Sequence, residues 1–201
     1  MATNIAARRG AKAQRRKAVV AQKRKVDVAS NSLATKVQRA AELPIQHCLL
    51  GTTLASQGIG TLVVARGATP HRMWVAGFLL DTYALGVKNT FFHELDGAAF
   101  EAQMAHIQAA NGMASVDPAC ARKLLRDLAR WSASIGYGPH EDFSVIERIF
   151  GSVRGDDCTE EFTFGHDGKP LLIPGPNDSL GNLRQRRTET NRHVESMAER
   201  A

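Results

Sequence analysis

The chain has 201 residues and a mass of 21.8 kDa, room for one domain with tails. With 43% hydrophobic and 23% charged residues it can bury a core, yet no apolar run approaches the roughly 18–20 residues of a bilayer span, so no membrane partner is expected. Three cysteines with no close pair exclude a disulfide framework and fit free, buried thiols in a reducing cytoplasm.

The formal charge of +6 is unevenly spread. Residues 1–42 contain Arg8, Arg9, Lys12, Arg15, Arg16, Lys17, Lys23, Arg24, Lys25, Lys36 and Arg39 against Asp27 and Glu42, which makes the stretch +9 (11 − 2). The other residues carry 15 bases (26 − 11) and 18 acids (20 − 2), or −3. This basic arm has few large apolar groups, so residues 1–28 are expected to be disordered alone. Its Ala, Arg, Lys and Gln content favours helix once a polyanion neutralises the charge. No aromatic residue interrupts the arm, so contact with nucleic acid would run through phosphates and tolerate any sequence.

Ser32 reads as the cap of a short helix from Leu33 to about Leu43, with Pro44 at its exit. Ile45–Leu50 reads as a strand. Ile59–Arg66 and Met73–Leu80 are apolar and β-branched, and Gly67-Ala68-Thr69-Pro70-His71 joins them as an antiparallel hairpin. Residues 81–88 carry turn chemistry. Gly97 to about Ala110 reads as a helix stopped by Asn111-Gly112. Asp117-Pro118 opens another, with Leu124, Leu128, Trp131 and Ile135 on its buried stripe and Arg122, Lys123, Arg126 and Arg130 opposite. A short helix over Glu141–Phe150 follows. Glu161–Phe164 and Pro170–Ile173 read as a second hairpin closed by Gly165–Lys169, and a polar helix from about Leu180 to Glu199 ends the chain. The fold class is α+β: a mostly antiparallel sheet built from two hairpins and packed with helices, behind a basic N-terminal arm. The organisation is an arm over 1–42, a globular domain over 43–180 and a polar tail over 181–201.

Gly165-His166-Asp167-Gly168 matches the GxxG loop of KH domains in letter only, because that loop joins two helices and here the flanks read as strands. His47, Cys48, Cys120 and Cys158 are too scattered for a zinc signature. Asp81 ends an apolar strand and opens a turn, where a carboxylate can hold a metal or act as a base. If its turn met the one at Asp178, then Asp81, Glu94 and Asp178 would hold Mg²⁺, with Lys88 or His93 assisting hydrolysis. The simpler assignment is favoured: Asp81 caps its turn, Lys88 is solvated and Asp178 caps the last helix. Arg122, Arg126 and Arg130 recur every fourth residue and would extend a phosphate-binding face from the arm, although such a stripe is more often solvated.

Leu80-Asp81-Thr82-Tyr83-Ala84-Leu85-Gly86-Val87-Lys88, Asp117-Pro118-Ala119-Cys120-Ala121 and Phe162-Thr163-Phe164-Gly165-His166-Asp167-Gly168-Lys169-Pro170, followed by Gly175-Pro176-Asn177-Asp178-Ser179, together resemble an uncharacterised bacterial family. The resemblance covers about residues 43–185 and implies no activity. The expectation is therefore a cytoplasmic RNA-associated protein, with the ribosome a candidate partner and no cofactor. The alternatives are a small metal-dependent hydrolase or nuclease centred on Asp81, and a module that binds an acidic protein through the arm.

Overall fold

The computed structural model describes residues 32–69 and 71–173. The nine arm residues from Arg8 to Lys25, Asp178 and the polar tail lie outside them.

Ser32 caps α1 (Leu33–Ala41), its Oγ accepting from the Thr35 amide at 3.3 Å. The strands are β1 (Ile45–Gly51), β2 (Ile59–Thr69), β3 (Arg72–Asp81), β4 (Gly86–Asp96) and β5 (Met113–Ser115). Between them lie α2 (Thr53–Gln57) and α3 (Gly97–Asn111); α4 (Pro118–Ser134) and α5 (Phe143–Ile146) follow, then 3-10 turns at Glu147–Phe150 and Gly155–Asp157. The sheet order is β4-β3-β2-β1-β5, antiparallel at every pairing.

β2 reads as a continuous apolar run rather than an alternation because both faces of the sheet are covered. Leu62 and Val64 point with Ala76 and Phe78 into the main core, where α1, α4, α5 and the first 3-10 turn pack. Val63 and Ala65 point the other way, with Met73, Val75 and Phe100, against α3. The domain is thus three layers, α3 on one face and the remaining long helices on the other.

The α+β class and the antiparallel sheet packed with helices are as expected. Two details differ. Residues 86–96, whose sequence reads as turn chemistry up to Lys88 and as no regular element beyond it, form the longer edge of the sheet; Lys88, Asn89 and His93 break the apolar pattern because an edge strand faces solvent on one side. Conversely, residues 161–173 add no strand to the sheet. Their tight turn is present, as a lone bridge between His166 and Lys169 with Asp167 (φ 52°) and Gly168 (φ 73°) at its tip, the signature of an Asp-Gly two-residue turn. The flanks instead run, from Cys158 onward, as an irregular strap across α4.

α1 belongs to this body. Val37 and Ala40 are fully buried in the main core. The Leu43 carbonyl just past the helix accepts from Arg66, whose other terminal nitrogen donates to the Phe150 carbonyl at 2.7 Å. The globular body therefore includes Leu33–Ala41, and the 31 residues before Ser32 carry a formal +8 (Arg8 to Lys25, nine bases, less Asp27). Among the described residues, no helix is long and apolar enough to cross a membrane.

Candidate functional site

Asp81 closes the turn between β3 and β4. Its backbone pairs with Gly86, and its Oδ1 accepts from the amides of Tyr83 and Ala84, both at 3.0 Å. The side chain is almost wholly buried. Burial pushes its carboxyl above the usual range, and the turn amides and the charge of Lys88 oppose that rise. This is a capping arrangement, with the carboxylate turned inward on its own turn.

The other residues of the metal-dependent reading do not gather there. Once the chain reverses at the turn, every residue along β4 moves away from it. Glu94 pairs with Trp74, seven residues up β3 from Asp81, which is about 23 Å at a strand's rise. Glu94 instead pairs with Arg72, and His93 stacks on Phe91. Of the residues that reading named, only Lys88 lies near Asp81 among those described.

The strap docks on the same turn. The Gly165 amide donates to the Thr82 carbonyl at 2.8 Å, and the Leu171 amide donates to that of Tyr83 at 2.9 Å. Phe164 packs against Trp131 of α4, and the His166 ring meets Tyr83 edge-on. Between strap, turn and the β1–β5 edge lies a cleft of about 690 Å³, walled by Leu50, Thr52, Tyr83, Ser115, Phe162 and Phe164. Asp81 is not part of its wall, and the titratable groups at its rim, Glu161, His166 and Asp167, are exposed. The cleft offers aromatic faces, hydroxyls and backbone groups, which suit holding a ligand rather than moving a proton in a dry site. Sequence reading missed it because Tyr83 and Phe162 come together only through the strap.

Among the described residues, several cations of the body are engaged within it. Arg122 is half of a buried ion pair with Glu147 (Nε to Oε1, 2.7 Å) and also donates to the carbonyls of Gly151 and Val153. Arg126 reaches the same Glu147 oxygen at 2.8 Å, and Arg130 pairs with Asp127 at 3.0 Å. The stripe read as a phosphate-binding face thus has Arg122 turned into the protein, Arg126 half-exposed and only Arg130 well exposed. Lys123 donates to the carbonyls of Cys158 and Glu160, and Arg154 lies near Asp156 and Asp157. Burial is the largest influence on Glu147 and pushes its carboxyl up, but the hydrogen bonds and charges of Arg122 and Arg126 outweigh it and hold the group below the usual range. Glu147 carried no signal in the sequence, because its partners are 21 and 25 residues away.

The cysteines require a correction. Cys120 and Cys158, read as separate free thiols, form a disulfide across a separation of 38 residues. Their spacing has no local signature; the strap brings them together. Cys48 alone is free, and burial, with a smaller push from Asp117, raises its thiol to about 12, which makes it inert.

No protein-family model matches the chain, and neither the curated proteins nor the solved structures give a match to it.

Proposed function

We propose that this is an RNA-associated protein whose N-terminal arm makes sequence-tolerant phosphate contacts, with the ribosome as its candidate partner. One observation carries the reading: a +8 arm precedes a body of opposite sign. The internal engagement of Arg66, Arg122 and Lys123 adds to it, since it takes three cations of the body out of competition for phosphate. The body's part is to dock or to hold a ligand in the strap cleft.

The test is RNA affinity as a function of salt for the full chain and for residues 32–201. Neutralising ~6–9 phosphates gives a log–log slope of roughly −4 to −8 for the full chain. Removing residues 1–31 is expected to abolish that binding while the fold persists. Undiminished affinity in the shorter chain overturns the reading, and arm-dependent capture of an acidic protein that free RNA does not displace assigns the arm to protein binding instead.

A further inference from the structure

The strap is fastened to α4 at one covalent point, and the chemistry there extends beyond the disulfide. Cys120 sits in the first turn of α4, behind the Asp117 cap, whose Oδ1 accepts from the amides of Ala119 (2.8 Å) and Cys120 (3.2 Å). Cys158 follows the last 3-10 turn. A carboxylate oxygen of Glu160, two residues further along the strap, and the two sulfurs all lie within 4.8 Å of one another. Both cysteines are buried and Glu160 is exposed, so the group has one closed side and one open side. An open groove of about 530 Å³, walled in part by Ser152, Asp157 and Thr159, leads to it from solvent.

We propose that Cys120, Cys158 and Glu160 form a binding site for Zn²⁺, or a divalent ion of the same softness, when the disulfide is reduced. Two thiolates and one carboxylate supply three of four tetrahedral ligands, and the open side leaves the fourth to water. The sulfur donors select this class of ion and disfavour Mg²⁺, which takes oxygen ligands. The site is distinct from the oxygen-only arrangement considered around Asp81, and it does not depend on the arm reading. The same three residues then fasten the strap in either of two states, covalently when oxidised and by coordination when reduced. The exchange balances: a phosphine reductant takes up one water and becomes the phosphine oxide, the disulfide becomes two thiols, and the incoming cation displaces their two protons.

The experiment uses the full chain reduced with a water-soluble phosphine and then titrated with Co²⁺. The expected result is one Co²⁺ per chain, a sulfur-to-cobalt charge-transfer band, the visible bands of a tetrahedral ion, and their bleaching by Zn²⁺. The oxidised chain gives none of these. Glu160→Gln, which leaves the disulfide and the core intact, weakens binding about tenfold or more, and Cys48→Ser leaves it unchanged. The proposal is overturned if the reduced chain gives no charge-transfer band. It is equally overturned if Cys158→Ser binds as tightly as the reduced native chain, or if reduction unfolds the chain and Co²⁺ fails to restore its circular dichroism.

Discussion

Arg122 of α4 and Glu147, the first residue of the 3-10 turn after α5, form a two-pronged pair, Nε to Oε1 at 2.7 Å and Nη2 to Oε2 at 3.3 Å. The pair is nearly enclosed, and the Phe150 ring lies beneath the guanidinium, 5.9 Å from its carbon. Removing one partner leaves the other charge buried without compensation. Glu147→Gln is therefore expected to cost about 3 kcal/mol of stability, read from urea unfolding. The pH dependence follows from the depressed folded-state value. The carboxylate stabilises the fold fully above its unfolded value near 4.5, and that contribution is lost as pH falls through the lower folded value. The native chain should lose stability over this acid window more steeply than Glu147→Gln.

Asp81 has the opposite sign. Its folded-state value is raised by burial, so its protonated form is favoured in the fold. The resulting contribution is fully present below the unfolded value near 3.8 and is lost as pH rises through the raised folded value. Asp81→Asn keeps an acceptor for the Tyr83 and Ala84 amides and is expected to stay within ~1 kcal/mol of the native chain at neutral pH. Asp81→Ala leaves both amides unpaired and should cost about 1–3 kcal/mol. Comparing the two substitutions by urea unfolding separates a turn cap from a residue that merely fills space.

Two truncations test whether α1 belongs to the body. Removing residues 1–31 is expected to leave the melting temperature within a few degrees of the native value. Extending the deletion through residue 42 strips Val37 and Ala40 from the core and the partner of the Ile146–Phe150 segment. Thermal melts should show the second deletion to be severely destabilised, because emptying a core site costs several kcal/mol.

Gly86 tests the strand that the sequence concealed. Its φ is 68°, and a Cβ there would stand 2.1 Å from the Oγ of Ser132, itself fully buried in α4. Gly86→Ala combines left-handed strain with overpacking and should lower unfolding stability by about 2–3 kcal/mol. A change below half a kcal/mol would mean that β4 does not enter the sheet at Gly86 as described.

What could be read from the sequence was local. The β2–β3 hairpin, the Asp117-Pro118 helix start, the Asp-Gly turn at 167–168 and the cap at Ser32 are each written within a few adjacent residues, and each is present. What escaped was assembled over distance. The Phe-Thr-Phe alternation at 162–164 mimicked a strand, but those aromatic rings rest on α4 and the cleft, with no strand beside them. The pairing of Cys120 with Cys158, the enclosure of Arg122 by Glu147 and the burial of α1 all depend on segments that meet only after folding. Of the candidate residues, Asp81 was read correctly as a turn cap by its position, whereas the outward stripe of arginines was misread at Arg122 because helix periodicity says which face a residue occupies and not what later packs on it.

The burial of α1 also fixes a point of attachment. Ser32 is exposed while Val37 and Ala40, further along the same helix, are fully buried in the main core, so whatever joins the chain at Ser32 meets the body on the face of the sheet opposite α3.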